Sequence, residues 1–290
     1  MSGAAVLVDA SPYAFRAYFS LPPTIRDPSG RPVHAVYGFA NFLLQLIRTE
    51  APSRLAVAFD GSLVTSFRNE LYPPYKAQRE LPPAELEEQL DTCLELAAAL
   101  GATTAIDDRY EADDLVAAWA KRARQEAWGP AVVVSSDKDL AQLVGPGVEF
   151  LDFAKGERYD EAAVAERFGV APHQIADLLA LAGDPVDNIP GVAGIGKKTA
   201  AQLLTTFGSL EELYARLEEL PSLPVRGART SYDKLVADRE AALLSQRLSR
   251  VAPEAPAPPV PLFAGAERSA ADELFDRLGF GRIRERVVYR

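Results

Sequence analysis

The sequence predicts an α/β protein, a mostly parallel sheet flanked by helices and followed by a helical C-terminal domain. Three observations carry this. Residues 5–8 (AVLV) and 55–59 (LAVAF) are short apolar runs, each closed by an acid, Asp9 and Asp60, and such runs read as buried strands. Between them Tyr37, Phe39, Ala40, Phe42, Leu43, Leu46 and Ile47 form one broad apolar surface; strands alternating with helices indicate parallel pairing through right-handed crossovers. Beyond Gly169 the pattern is helical, which divides the chain into an α/β core over 1–168 and a helical domain over 169–290.

After the second strand the character changes. Residues 67–90 interleave Arg68, Lys76 and Arg79 with Phe67, Tyr72 and Tyr75, and two Pro-Pro pairs limit regular helix. Cations alternating with aromatics suit a surface that tracks a nucleic-acid backbone while bases stack. An exposed connection whose aromatics pack back on the core reads equally well from this segment alone. A helix is expected over 84–100, stopped by Gly101, and then a strand over 103–106.

Residues 110–140 are the stretch around which the chain is organised. Leu115, Val116, Trp119 and Ala123 recur at helical spacing, so Glu111, Asp113 and Asp114 fall in or beside that helix's opening turn, where the dipole tolerates negative charge. Residues 131–134 are a β-branched run, so Asp137 and Asp139 emerge at a strand's carboxyl end, where open parallel sheets place their ligands. Acids at a helix start are ordinarily caps, and acids after a strand are ordinarily loop residues. Asp9, Asp60 and the Asp137/Asp139 pair on one rim of one sheet speak instead for a site. The sheet finishes with a strand over 148–151; helices follow over 160–168, 172–181, 197–207 and 209–217. A Pro-rich extended linker over 251–261 leads to a last helix over 270–278 and a basic end.

Composition excludes several classes. The 290 residues are 48% hydrophobic and 25% charged, as in ordinary globular proteins. No apolar stretch reaches the roughly 18 residues needed to span a bilayer, and the N-terminus lacks a signal-peptide pattern, so a cytoplasmic, nucleoid-associated protein with no membrane partner is expected. One cysteine, Cys93, excludes an intramolecular disulfide, and two histidines make no structural zinc cluster. The net charge of -10 argues at first against nucleic acid, but an acidic pocket with local basic segments gives the same total.

The second informative stretch is GDPVDNIPGVAGIGKKTA, residues 183–200. Asp184 and Asp187 are three apart, which would place both carboxylates on one side of a helical turn. Gly191, Gly194 and Gly196 precede Lys197 and Lys198 and a helix-forming run; a glycine-rich hairpin opening a helix offers backbone N–H groups to a phosphate, and the lysines add charge. The spacing is neither a dinucleotide fingerprint nor a P-loop. It resembles the hairpin of a helix-hairpin-helix, a sequence-independent clamp on a DNA backbone.

Asp9, Asp60, Glu111, Asp113, Asp114, Asp137, Asp139, Asp184 and Asp187 could not all remain ionised in one cleft without cations. All-carboxylate sites suit Mg²⁺ or Mn²⁺. Two such ions about 4 Å apart can stabilise the attacking hydroxide and the leaving oxygen of a phosphodiester, so metal-assisted phosphodiester hydrolysis is the inferred chemistry.

The motifs VDAS-YAFRAY, VAFD, FRNELYPPYKAQR, EADD, SDKDLAQLV and GDPVDNIPGVAGIGKKTA together resemble the bacterial 5'-3' exonuclease and flap endonuclease family, which includes the N-terminal domain of DNA polymerase I. The resemblance covers nearly the whole chain. It implies a PIN-like α/β core, an arch over the cleft around 67–90, and a helix-three-turn-helix domain. By position, the nine acids match the family's metal-site acids, with Asp60, Glu111, Asp113 and Asp114 nearest the first ion and Asp137, Asp139, Asp184 and Asp187 toward the second. Lys76, Arg79 and Arg16 match phosphate contacts, Tyr75 an aromatic that stacks on the terminal base, and Arg68 belongs to the same DNA-binding segment. Gly194, Gly196, Lys197 and Lys198 match a potassium-assisted clamp, in which the carbonyls of Val192 and Ile195 would hold K⁺. Ser136 stands where the family commonly has glycine. The chain ends near residue 290 with no polymerase segment, so it resembles a stand-alone nuclease or an excised domain. The resemblance implies cleavage of 5' flaps and RNA primers on branched, nicked or RNA-primed DNA, with a functional link to a DNA polymerase. A shorter PIN-type ribonuclease and a non-catalytic junction-binding module are the alternatives.

Overall fold

The apolar runs form the strands where alternation places them. In β1 (Ala5–Asp9) every residue is buried: Val6 and Val8 face one side of the sheet, Ala5 and Leu7 the other. The computed structural model describes residues 3–61, 65–223 and 227–290. β1 pairs in parallel with β2 (Arg54–Asp60) and β4 (Ala131–Val134); β3 (Thr103–Asp107) and β5 (Val148–Asp152) extend the sheet outward, and the order is β3-β2-β1-β4-β5-β6. The sheet does not finish at β5 as expected. A short antiparallel β6 (Glu157–Tyr159) returns along it, its alternation too brief to read.

Two apolar layers cover the two faces. On the first, α1 (Ser11–Ser20), α2 (His34–Glu50) and α4 (Ala84–Ala99) pack Tyr13, Phe39, Leu43 and Leu96 against Val6, Val57, Phe59 and Val134. On the second, α5 (Ala112–Gln125) lays Leu115, Val116 and fully buried Trp119 on Leu7, Ala58 and Val133. The helices expected over 160–168, 197–207 and 209–217 appear as α6 (Glu161–Phe168), α8 (Lys197–Phe207) and α9 (Leu210–Ala215), with Asp160 and Ser209 accepting N-cap hydrogen bonds. The helix expected over 172–181 begins as a 3-10 turn, Pro172–Gln174, and continues as α7 (Ile175–Ala182).

Several features depart from expectation. The short α3 (Phe67–Leu71) and the helices α10 (Ala228–Ala237) and α11 (Arg239–Ser249) were not anticipated. In α11 the buried face carries Ser245, Gln246 and Ser249 beside Leu248, so its polar composition hides the periodicity. Residues 251–261 are extended but not free: the Trp119 indole donates to the Pro258 carbonyl at 2.8 Å, Arg122 donates to Pro258 and Ala257, and Ala255, Ala257 and Val260 are buried in the second layer. The last helices, α12 (Arg268–Leu278) and α13 (Gly281–Arg284), return to the first layer, where Leu274, Phe275, Leu278, Phe280 and Ile283 pack with the strand residues. The expected helical domain over 169–290 therefore loses its final stretch to the α/β core.

Candidate active site

The strand ends set the rim. Asp9 closes β1, and its carboxylate accepts from the Ser135 hydroxyl at 2.6 Å. Asp60 closes β2, accepts from the Ala112 N–H at 2.9 Å, and donates its own N–H to the Ser11 hydroxyl. Fully buried Ser135 also accepts from the Asp137 N–H at 2.9 Å, so one hydroxyl ties two acids together. Asp137 in turn accepts from the Asp139 N–H. Ser135 is not among the candidate residues of the sequence; its position directly after a buried strand was the available signal.

Two further strand-end acids lie outside the site. Asp107 caps the backbone N–H groups of Arg109 and Tyr110, and buried Asp152 pairs with Lys155.

The opening turn of α5 divides its acids by direction. Glu111 is the N-cap, and its carboxylate accepts from the Lys76 ammonium at 2.8 Å and the Tyr75 hydroxyl at 3.2 Å. Asp113 faces Asp9, Asp137 and Asp60. Fully buried Asp114 takes two hydrogen bonds from Arg68, at 2.7 and 2.8 Å, and further ones from the Ala252 and Glu111 N–H groups. These bonds engage both oxygens, so the expected metal acid is here the partner of an internal ion pair. Arg68, expected among the DNA-binding residues, is correspondingly turned inward. It is 3% exposed and also donates to the carbonyls of Leu248 and Arg250.

Tyr75 is corrected in the same way. Its ring is packed with Ile189 and Leu248, 3% exposed, and is not presented to a base. Asp184 and Asp187 do not share a helical turn: residues 184 and 189 close an antiparallel bridge, and Asp187 reaches back to Arg79 and, at 3.8 Å, Lys76. Arg16 is exposed on α1 and lines a separate cavity of about 380 Å³ with Tyr13, Gln45 and Phe153, none of them a rim acid.

In the hairpin, Gly194, Gly196, Lys197 and Lys198 are exposed at the start of α8, while Val192 and Ile195 are buried. The Val192 carbonyl accepts from the Ile195 N–H, and the Gly194 carbonyl accepts from the Lys234 ammonium at 2.8 Å. Gly191 has φ +64, and a Cβ there would meet the Gly183 nitrogen at 2.3 Å, so only glycine permits this crossing.

Electrostatics follow from the crowding. Burial and the charges of neighbouring acids push Asp9 and Asp113 well above the usual carboxylate range, raise Asp137, and carry Asp139 up to about 8. Glu111 moves the other way. Burial alone would raise it, but Lys76 and Arg68 overcome this and hold it below its ordinary value. Burial would lower Lys76, but Glu111, Tyr75 and Asp187 overcome this and raise it, so its ammonium stays charged within the cluster.

Among the described residues no three acids converge tightly enough to enclose an ion. The donor set nevertheless fits hard divalent cations, since it consists of carboxylate oxygens whose mutual repulsion such a cation relieves.

An α/β sheet with carboxylates on its C-terminal rim, joined to a glycine hairpin that opens a helix, is the framework against which the family models are matched. The family model described as the 5'-3' exonuclease N-terminal resolvase-like domain matches residues 4–169, and that of the 5'-3' exonuclease C-terminal SAM fold matches residues 170–263. The chain belongs to the 5'-3' exonuclease family. It is 38% identical to a 5'-3' exonuclease of Mycobacterium tuberculosis, over 87% of this chain and 84% of that one. To DNA polymerase I of Pseudomonas aeruginosa it is 44% identical over 85% of this chain, but spans only 27% of that polymerase. In fold it is similar to T5 5'-exonuclease with divalent zinc bound, at TM-score 0.68 and 24% identity, over 86% of this chain and 90% of that one.

Proposed function

We propose that the chain is a structure-selective 5' nuclease that hydrolyses phosphodiesters of 5' flaps and RNA-primed 5' ends in DNA. The observation that carries this reading is the crowding of Asp9, Asp60, Asp113, Asp137 and Asp139 on one rim, with the charge of Lys76 among them and Arg79 paired to Asp187 beside them. Asp9, Asp113, Asp137 and Asp139 would hold two divalent ions, Mg²⁺ or Mn²⁺, with Asp60, Asp184 and Asp187 beside them; Glu111 would join when Lys76 turns from it to a phosphate. Bound there, such ions supply an activated water and charge stabilisation for the leaving oxygen. Lys76 and Arg79 neutralise and orient the scissile phosphate, and Ser135 keeps Asp9 and Asp137 in register. Lys197, Lys198 and the N–H groups opening α8 grip the duplex backbone. A K⁺ at the hairpin carbonyls of Val192 and Ile195 would add to that grip beside Lys234. The T5 flap endonuclease in complex with DNA and metal ions, 22% identical to this chain, supports the DNA assignment, and the polymerase relatives support a partnership with DNA synthesis.

The test is cleavage of a 5'-labelled double-flap DNA with Mg²⁺ or Mn²⁺ and with EDTA, beside a single-stranded RNA. Metal-dependent cutting at the junction with little on the RNA is expected. Rapid RNA cutting with an intact flap would move the chain to the ribonucleases, and binding without cutting to the junction-binding modules.

A further inference from the structure

Beside the ion pairing of Asp187 with Arg79 and Lys76, the arch and the turn before the hairpin are fastened to each other by neutral groups. The Gln78 side-chain amide donates to the carbonyls of Pro185 and Val186, at 3.2 and 2.8 Å. From the other side the Asn188 side-chain amide donates to the Pro74 carbonyl at 2.7 Å. Between these two, the Lys76 N–H donates to the Asp187 carbonyl at 3.1 Å. Lys76 and Asn188 both adopt left-handed backbone, with φ of 53° and 58°. Asparagine accepts that conformation readily and lysine does not, so the bond to Asp187 helps hold Lys76 in a shape it would otherwise leave.

The turn also connects rigidly to the hairpin. Paired hydrogen bonds between residues 184 and 189 close it, and just beyond Pro190 the Gly191 N–H is held by buried Ser245 at 2.9 Å and the Val192 N–H by the Leu181 carbonyl. Only Pro190 separates the arch's docking partner from the loop that faces the duplex. Beneath, Tyr75 and Ile189 share one apolar cluster with Leu248.

We propose that Gln78 and Asn188 are positioning residues. They latch the arch to the 184–189 turn, so that the hairpin's hold on duplex DNA sets Lys76 and Arg79 over the acidic rim. The proposal rests on the nuclease reading above. Both side chains are exposed, and hydrogen bonds shared with water are individually weak, so the latch opens to admit a strand and closes behind it. An arch built only to be sticky would need cations; this one spends two neutral amides on aiming its cations.

The experiment uses the full chain with Gln78→Met, which keeps the length and removes the donor, and Asn188→Gly, which keeps the left-handed φ and removes the amide. Hydrogen–deuterium exchange over residues 72–79, in EDTA and without DNA, is expected to quicken by at least about tenfold in the double variant, which loses three hydrogen bonds, each worth up to about that factor. The single-turnover rate on a double-flap DNA is expected to fall by a similar factor, while duplex affinity in EDTA stays at the wild-type value. Wild-type exchange and rate in the double variant would overturn the latch. So would a loss of affinity with the rate unchanged, which would make the two amides direct DNA contacts. A wild-type chain that cuts no flap would sink the nuclease reading instead, and the exchange measurement would still decide the latch.

Discussion

Asp139 shows how a single residue registers its surroundings. Burial first, and then the charges of Asp137, Asp184 and Asp187, lift its pKa to about 8 from the model-compound value of 3.8. A carboxyl whose folded pKa is raised binds its proton more tightly when folded, so it contributes nothing below pH 4. Between pH 4 and 8 the unfolded chain gives up a proton that the folded chain keeps, and stability falls. In EDTA the melting temperature should therefore drop as pH rises through that window. Asp139→Asn should flatten the decline, and Mg²⁺ should restore stability at pH 8. A metal-free chain whose melting temperature holds or climbs from pH 4 to 8 would contradict this. Asp9, Asp113 and Asp137, raised in the same way, add to the decline, whereas Glu111, held low by Lys76 and Arg68, acts oppositely only below about pH 4.5, outside this window.

Among elements, the Arg68–Asp114 pair is the knot. Arg68 on α3 reaches Asp114 on α5, and both bind the backbone leaving α11, through Leu248, Arg250 and Ala252. Three elements distant in sequence thus meet at one ion pair, with side-chain exposures of 3% and 0%. Removing one partner leaves the other charge buried, which costs about 3–5 kcal/mol. Arg68→Met alone should lose about that much in urea unfolding, and Arg68→Met with Asp114→Asn should lose clearly less. Equal losses in single and double variants would mean that packing, not charge, holds the knot. The adjacent Asp113 and Asp114 were alike in the sequence. Successive helical residues point about 100° apart, and here one faces the rim and the other the interior.

At the scale of the molecule, the chain closes on itself. α12 and α13 return to the first apolar layer, and residues 251–261 strap the second. Burying Leu274, Phe275, Leu278, Phe280 and Ile283 contributes about 1.5–3 kcal/mol each. That sum is comparable with the whole stability of a domain, about 5–15 kcal/mol. A chain ending at residue 263, where the second family model ends, should consequently fail to fold cooperatively. Circular dichroism melting checks this; a sharp transition near that of the full chain would overturn it.

The sequence by itself determined the parallel strands, the acids at their ends and the family. Apolar runs closed by acids are local signals, and β1, β2 and β4 put Asp9, Asp60, Asp137 and Asp139 where strand-end logic expects them. The glycine hairpin was equally legible, since left-handed backbone and close approach narrow the choice to glycine. What only the tertiary structure decided was direction and partnership. Arg68 and Tyr75 belong to a basic, aromatic segment that composition alone assigns to DNA, yet they turn inward because α11 offers carbonyls and an apolar wall there. Asp114 turns from the rim into an internal ion pair because Arg68 arrives from 46 residues away. Ser135 and the Gln78–Asn188 latch carry no periodicity at all. Their roles come from which chain segments meet, a property of long-range packing that spacing along the sequence does not encode.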